Sequence, residues 1–304
     1  MKAVALTRYL PIDDPQSLLD VELETPTATG HDILVRVEAV GEAVTRFKPG
    51  DAVYYAGDIT RPGSNAQFQL VDERIVGRKP ASLDFAQAAA LPLTTITAWE
   101  LLFDRMPYAL EGGGAGKSLL VIAGAGGVGS IAIQLAKRAG FTVIATASRQ
   151  DTIDWCMSLG ADHVINHRQA LGPQLKALGF DSIDAALNLA DTDRYWNELG
   201  DLLAPLGHVG LIVEPRGELR IGDPYKAKSI GIHWEMMFAR PRFRTADMGE
   251  QGALLDRVAD LIDAGDVRGT LTGTLSPINA ANLREAHRRL ESGTTIGKLV
   301  LAGW

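Results

Sequence analysis

The hydrophobic pattern changes along this chain. Residues 1 to about 96 contain short strand-like runs, of which 33–37 and 52–55 are the clearest, separated by turn-forming segments such as 48–51. Short runs rich in β-branched and aromatic residues, bounded by glycine and proline, are typical of β-strands. We therefore predict that this part of the chain is β-rich, with helical character beginning near Phe85.

From Ser118 onward, strand-like and helix-like patterns alternate. Five short apolar runs have the length of buried parallel strands: 119–123, 142–147, 162–165, 184–189 and 208–213. The first is followed by a segment, 128–139, whose apolar residues fall on one helical face. Strands that alternate with helices at this rhythm predict an α/β fold with a doubly wound parallel sheet. The tail adds two predicted helices and a closing strand: 252–265, 283–291 and 298–302.

Composition narrows the class of protein. The 304 residues are 46% hydrophobic and 22% charged, as in globular proteins, and the net charge of −7 disfavours nucleic acid and anionic membranes as partners. The first eight residues carry no signal-peptide pattern, and no apolar run is long enough for a membrane helix, which predicts a cytoplasmic protein. With Cys156 as its only cysteine and six scattered histidines, the chain lacks the ligand spacing of a zinc site, so no metal is expected.

The sharpest motif is a glycine turn. Gly124, Gly126, Gly127, Val128 and Gly129 belong to a G-x-G-x-x-G pattern that directly follows an apolar strand and opens a helix. In that context the first glycine allows a tight turn, the second lets the backbone approach a pyrophosphate, and the third lets helix and strand pack closely. The helix N-terminus then offers amides and a positive dipole to phosphates. The alternative is a glycine-rich turn without a ligand.

The next strand indicates which dinucleotide would bind. NAD-specific sites usually place a carboxylate at the end of this strand, to hold the ribose 2′-hydroxyl. Here the strand ends at Ser148 and Arg149, whose hydroxyl and guanidinium suit a 2′-phosphate. We therefore predict NADPH. Asp151 lies slightly further on, and Arg149 as an ordinary surface charge is the alternative.

Two other nucleotide chemistries fit less well. Residues 112–118 resemble a phosphate-binding P-loop, but Glu111 stands where the first glycine is required, and the segment precedes a strand instead of opening a helix. An ATPase is therefore disfavoured. A methyltransferase uses a similar glycine turn, but it would need an acidic ribose ligand where Ser148 and Arg149 stand.

Several segments together resemble a known family. The chain resembles the zinc-independent, quinone oxidoreductase-like branch of the medium-chain dehydrogenases/reductases, and this similarity is carried by residues 91–99, 119–136, 159–166 and 297–301. Residues 54–57 and 233–238 resemble a bacterial subgroup labelled zinc-type alcohol dehydrogenase-like. The resemblance implies a GroES-like catalytic domain (1–96 plus 241–304), an inserted Rossmann NADP-binding domain (97–240), a substrate cleft between them, and a homodimer.

The resemblance also implies roles for individual residues. Thr97 would lie near the nicotinamide, residues 126–128 at the pyrophosphate, and Ser148 with Arg149 at the 2′-phosphate. His167 would lie near the adenosine. Asn188 and Val213 would face the cofactor from strand ends, with ordinary packing or capping as the alternative.

One departure from the family concerns the catalytic half. Relatives carry an active-site-lining Asn-Pro-x-Asp-type stretch and several dozen further residues at a point where this chain runs from Val40 straight into Gly41, so the predicted GroES-like domain is shortened.

The expected reaction is hydride transfer from NADPH to a quinone or to a conjugated enone or aldehyde. Tyr55 is the candidate proton donor; the alternative is that Tyr55 is an ordinary core residue. The competing hypothesis is an NADPH-binding module with little or no turnover.

Overall fold

The computed structural model describes residues 1–34 and 37–304, which form two compact units: residues 1–96 with 237–304, and residues 97–236. The strands are β1 Lys2–Ala5, β2 Leu19–Glu22, β3 Asp32–Leu34, β4 Ala39–Val40, β5 Val53–Tyr55, β6 Leu70–Asp72, β7 Val76–Arg78, β8 Ser118–Ile122, β9 Thr142–Thr146, β10 His163–Ile165, β11 Ile183–Asn188, β12 Leu203–Leu211, β13 Gly231–Trp234, β14 Leu271–Leu275 and β15 Lys298–Leu301. The α-helices are α1 Phe85–Ala89, α2 Pro92–Trp99, α3 Gly127–Arg138, α4 Gln150–Ser158, α5 Leu171–Ala177, α6 Thr192–Leu202, α7 Ala239–Phe243, α8 Glu250–Asp263 and α9 Ala280–Glu291. A 3₁₀ turn covers Glu73–Ile75, and a π-helical segment, Glu100–Arg105, continues α2.

The 97–236 unit is built on a six-stranded sheet in the order β10-β9-β8-β11-β12-β13, and all its pairs are parallel. Numbered from β8, this is the order 3-2-1-4-5-6 of a Rossmann fold. The predicted α/β fold with a doubly wound sheet is therefore confirmed. The strand order reverses between β8 and β11, and the carboxyl ends of strands at such a switch point are where ligands bind in open α/β sheets.

The sequence pattern explains why β8 and α3 occupy the centre of this unit. All five residues of β8 are buried, as expected of a strand covered by helices on both faces. In α3, residues 129–136 are buried and the basic residues come in the last turn, where they complement the helix dipole. The strand predicted at 208–213 instead spans Leu203–Leu211; Pro205 and Gly207 break the apolar run before residue 208, so the pattern does not indicate its first half.

The other unit is formed by the first and the last parts of the chain, residues 1–96 and 237–304. Its small sheets are β1-β2, β4-β3-β6, β5-β7 and β14-β15. Helix α8 packs directly on β7, where a Cβ added to Gly77 would lie 2.4 Å from the Cβ of Leu255. The Tyr54 hydroxyl donates to the Leu255 carbonyl at 2.6 Å. The assignment of residues 1–96 plus 241–304 as a GroES-like domain stays a prediction, as does that of 97–240 as the NADP-binding domain.

Strands β3 and β4 pair just before the Val40–Gly41 junction, the point at which the resemblance predicts a shortened domain. In β3 and β4, Ile33 pairs with Val40 and Leu34 with Ala39, and the Gly41 amide donates to Asp32 at 2.9 Å. The strand predicted over 33–37 ends at Leu34 among the described residues; positions 35 and 36 lie outside them. Val37 is fully buried in the core of this unit. The Ala43 amide likewise donates to the Gly30 carbonyl at 3.0 Å, so residues after the Val40–Gly41 junction are hydrogen-bonded to residues before it.

No helix in residues 1–34 and 37–304 has both the length and the hydrophobicity required to cross a membrane.

A histidine pair joins the last two strands of the large sheet, and it predicts acid sensitivity. Nδ1 of His208 lies 3.0 Å from Nε2 of His233. Burial lowers the pKa of both rings, and their proximity lowers that of His208 further. The unfolded chain therefore takes up protons first as the pH falls below about 6.5, so the free energy of unfolding should decrease with falling pH. We expect His208→Asn to reduce the fall in Tm between pH 7.5 and 5.5.

The same substitution at the exposed His287 of α9 is the control. A pH dependence that is equally steep in His208→Asn and in the unchanged protein would contradict this interpretation of the pair.

Candidate functional site

The glycine turn joins β8 to α3. The left-handed backbone conformation falls on Ala123 (φ 62°), one residue before the motif, and not on Gly124. The tight-turn role of Gly124 stays a prediction, and its φ is not in the left-handed region. A Cβ at Gly124 would lie 2.8 Å from the Cβ of Ala145 and 3.1 Å from Sγ of Cys156, so close packing on β9 and α4 requires this glycine. Cys156 is fully buried, and burial raises the pKa of its thiol to about 12.

The other two glycines differ in what surrounds them. A Cβ at Gly129 would lie 2.4 Å from the carbonyl oxygen of Ala123 and 2.7 Å from that of Gly124, so only glycine fits here. Gly126, the N-cap of α3, meets nothing closer than 3.3 Å. The first amides of α3 have no acceptor within the helix and can hold an anion at this end. This arrangement agrees with the predicted close packing of helix and strand at Gly129 and with the predicted approach of the backbone to a pyrophosphate at Gly126. Gly127 and Val128 are the first two residues of α3.

The end of β9 carries the two residues predicted to bind a 2′-phosphate. Ser148 and Arg149 follow the strand and are half-buried, and Arg149 is the N-cap of α4. Nε of Arg149 lies 3.2 Å from the Asp151 carboxylate. The side chain of Arg149 is 36% exposed and that of Asp151 58% exposed, which makes this a weak surface ion pair.

A positive cluster lies at the ends of β9 and β10. His167 follows β10, and its pKa is lowered first by burial and then by the charges of Arg194, Arg168 and Arg149. A guanidinium nitrogen of Arg194 also donates to the His167 carbonyl at 2.5 Å. Arg168 and Arg194 were not predicted as site residues. Arg194 belongs to α6, and no local signal connects it with β10.

Asn188 and Val213, the two residues predicted to face the cofactor from strand ends, make local hydrogen bonds in the structure. Asn188, the last residue of β11, is fully buried, and its side-chain amide donates to the Asp191 carbonyl at 3.0 Å. The Val213 carbonyl accepts a hydrogen bond from the Thr192 hydroxyl. These contacts favour the capping alternative for both residues. Thr97 is buried on α2.

Tyr55 belongs to the other unit. Its hydroxyl donates to Oε1 of Gln69 at 3.0 Å, and burial raises its pKa above the ordinary value. The Gln69 amide in turn donates to the Pro62 carbonyl at 3.0 Å. The hydroxyl hydrogen is thus engaged inside the protein, which favours a core tyrosine over a proton donor.

A conservative substitution separates the two roles of Tyr55. We expect Tyr55→Phe to lower the free energy of unfolding by about 1 kcal/mol, the contribution of one hydrogen bond, and to change turnover less than threefold. Thermal unfolding and initial rates measure both quantities. A loss of about a hundredfold or more in rate would instead assign general-acid catalysis to this hydroxyl.

The residues described here do not fit a zinc centre. Within 1–34 and 37–304, no three His, Cys, Asp or Glu side chains come together as a group that could hold a metal ion. The one cysteine is buried beneath the glycine turn.

The 97–236 unit combines a Rossmann sheet with this glycine turn, and comparison with known proteins places the whole chain in a family. The family model described as zinc-binding dehydrogenase matches residues 159–301. A zinc-type alcohol dehydrogenase-like protein of Staphylococcus aureus (strain MSSA476) is 43% identical over 292 residues, which cover 96% of this chain and 87% of the relative. A mitochondrial NAD(P)H oxidoreductase of Homo sapiens is 30% identical, over 91% of this chain and 71% of the relative.

Solved structures extend the similarity to the whole chain. The crystal structure of a candidate zinc-dependent alcohol dehydrogenase from Rhizobium etli CFN 42 has a TM-score of 0.95 and 48% identity, covering 100% of this chain and 98% of that one. Escherichia coli quinone oxidoreductase complexed with NADPH has a TM-score of 0.82 at 21% identity, over 99% and 100% of the chains, and so shows the fold alone. The family model and the relatives of at least 30% identity define the class of protein as an oxidoreductase. The chain belongs to the zinc-binding dehydrogenase family of medium-chain dehydrogenases/reductases, which confirms the resemblance.

Proposed function

We propose that this protein is a zinc-independent, NADPH-dependent reductase of quinones or of conjugated enones and aldehydes. The observation that carries the proposal is the positive cluster of Arg149, Arg168 and Arg194 around His167, at the carboxyl ends of the neighbouring strands β9 and β10, where Arg194 donates to the His167 carbonyl. The turn suits a pyrophosphate, and the cluster suits a further phosphate on the adenosine ribose.

The charges around His167 are the main support for NADPH over NADH. A 2′-phosphate brings about two negative charges, which three arginines can neutralise and hold through charge-assisted hydrogen bonds. The position at which NAD-specific sites carry a carboxylate is occupied by Ser148, and the nearby Asp151 is already paired with Arg149. Moving Arg149 from the weak pair with Asp151 to a phosphate would cost little.

The protein's own residues would hold and orient the cofactor. The first amides of α3 would bind the pyrophosphate, the arginines the 2′-phosphate, and the half-buried carboxyl end of the sheet would limit access of water. The bound cofactor would supply a hydride. Reduction of an ordinary ketone or oxidation of an alcohol is helped by a Lewis acid, and the described residues do not assemble the donors for one. Quinones and enones, which need less activation, therefore fit better.

Names of related proteins support the same class. The human relative is called an NAD(P)H oxidoreductase, and a structural neighbour is a quinone oxidoreductase complexed with NADPH. The competing proposal, a binding module with little turnover, rests on the shortened catalytic half that the resemblance predicts at Val40–Gly41, where the Gly41 amide is hydrogen-bonded to the Asp32 carbonyl.

Cofactor consumption tests the proposal. NADPH absorbance would be followed with a panel of quinones and enones, with NADH as the control cofactor. Consumption that is at least tenfold faster with NADPH supports the reductase. If NADPH binds but is not consumed at high protein concentration, the binding module is the better account; equal rates with both cofactors would contradict the role given to the positive cluster.

A further inference from the structure

We propose that Trp155 is a positioning residue for dinucleotide binding, acting through Ser130 on the carbonyl of Gly126. This hydrogen-bond chain, called here the tryptophan–serine relay, rests on the proposed function because it orients the turn assigned to the pyrophosphate. It joins that turn to α4, the helix that begins directly after Arg149.

The relay consists of two consecutive hydrogen bonds. The indole Nε1–H of Trp155 donates to Oγ of Ser130 at 2.9 Å, and this hydroxyl donates to the Gly126 carbonyl at 2.7 Å. The backbone amide of Ser130 donates to the same carbonyl at 2.9 Å. Two donors from one residue therefore hold the Gly126 oxygen on the helix side of the turn.

Fixing the direction of the Gly126 carbonyl also fixes the direction of the Gly127 N–H. In a trans peptide the carbonyl of Gly126 and the N–H of Gly127 point in opposite directions within one plane. Holding the oxygen toward α3 directs the Gly127 N–H away from the helix, where an anion at the N-terminus would bind. The relay thus acts on the orientation of a phosphate-binding amide without contacting the ligand.

Trp155 selects between two positions of the serine hydroxyl. The side chain of Ser130 is fully buried and has a second acceptor in reach, the Ala125 carbonyl at 3.5 Å. A hydroxyl has one hydrogen to donate, and the indole N–H occupies an acceptor lone pair on the other side of the oxygen. The indole therefore favours the hydrogen bond to Gly126. Without it, the hydroxyl can turn toward Ala125.

The position of Trp155 couples the two ends of the cofactor site. Arg149, at the start of α4, is assigned to the 2′-phosphate, and Trp155, about 1.7 turns later on the same helix, reaches the pyrophosphate turn. A ligand that contains the pyrophosphate should depend on the relay. A ligand that carries only the 2′-phosphate should not.

The test uses calorimetric titration of the full chain with NADPH and with adenosine 2′-monophosphate. Trp155→Phe keeps the aromatic ring and removes the N–H, and Ser130→Ala removes the hydroxyl. We expect each variant to weaken NADPH binding about fivefold, the effect of losing one neutral hydrogen bond, with 2′-monophosphate binding unchanged. Because both substitutions break one chain, the double variant should lose hardly more than either single variant.

A matched control is available within the same unit. Trp196→Phe also removes an indole hydrogen bond of 2.9 Å, to the Arg220 carbonyl, and should leave NADPH affinity unchanged. A second readout needs no ligand: hydrogen exchange at the Gly127 amide should accelerate in Trp155→Phe and not in Trp196→Phe.

Three results would overturn the relay: NADPH affinity unchanged in Trp155→Phe, equal weakening of both ligands, or multiplicative losses in the double variant. An unchanged protein that binds neither NADPH nor adenosine 2′-monophosphate would overturn the proposed function and the relay together. Normal binding by the unchanged protein with no effect of Trp155→Phe would overturn the relay alone.

Discussion

Alanine at position 129 is expected to destabilise the 97–236 unit by about 3 kcal/mol and to abolish measurable NADPH binding. The added Cβ would lie 2.4 Å from the Ala123 carbonyl oxygen and 2.7 Å from that of Gly124. Both atoms are backbone, so no side-chain rotation can make room. The turn must move away from α3, which takes the helix amides out of position. Thermal unfolding and NADPH titration measure the two effects.

The matched variant is Gly126→Ala. Its added Cβ would meet only the Ala123 carbonyl oxygen at 3.3 Å, and Gly126 has φ −72°, a conformation that alanine adopts without strain. We expect a near-normal Tm and NADPH binding weakened about tenfold or more, because the methyl group occupies the surface offered to the pyrophosphate. A normal Tm for Gly129→Ala would show that the packing argument is wrong.

The second large effect concerns the choice of cofactor. We expect Arg149→Glu to lower the ratio of kcat/KM for NADPH to that for NADH by about 100-fold or more. The substitution removes charge-assisted hydrogen bonds to a 2′-phosphate and adds a repelling carboxylate, together about 3 kcal/mol. The new carboxylate could also accept the ribose hydroxyls of NADH, as acidic residues do in NAD-specific sites. Steady-state kinetics with both cofactors give the ratio.

Charge reversal at a distant surface position is the control for Arg149→Glu. Lys176 is exposed on α5 of the same unit, so Lys176→Glu should leave the ratio unchanged. If Arg149→Glu also leaves it unchanged, Arg149 is an ordinary surface charge, and the preference for NADPH must come from other groups or be absent.

The local sequence pattern was sufficient to predict the centre of the 97–236 unit. A fully buried five-residue strand, a glycine turn and an amphipathic helix follow one another within about 20 residues, so the sequence predicts β8, the turn and α3 to within a residue or two. Short-range sterics and periodicity determine these elements. The edge strand β13 was not predicted, because its residues are half-buried or exposed and carry no continuous apolar run.

Contacts between residues distant in sequence account for what the pattern missed. Gly124 is required by Ala145 and Cys156, which come from β9 and α4, and not by its own backbone conformation. Arg194 reaches His167 from a helix 27 residues further along the chain. No local rule connects such positions, since the sheet order that brings them together is a property of the folded unit.

The fate of the hydride tests the central claim most directly. NADPH carrying deuterium on one face of C4 would be incubated with the protein and a conjugated enone, and the product analysed by mass spectrometry and NMR. The account predicts one deuterium at the β-carbon from one of the two C4 isotopomers and none from the other. A reduced product without deuterium from either isotopomer, or no reduction of either an enone or a quinone at an NADPH concentration that saturates binding, would contradict it.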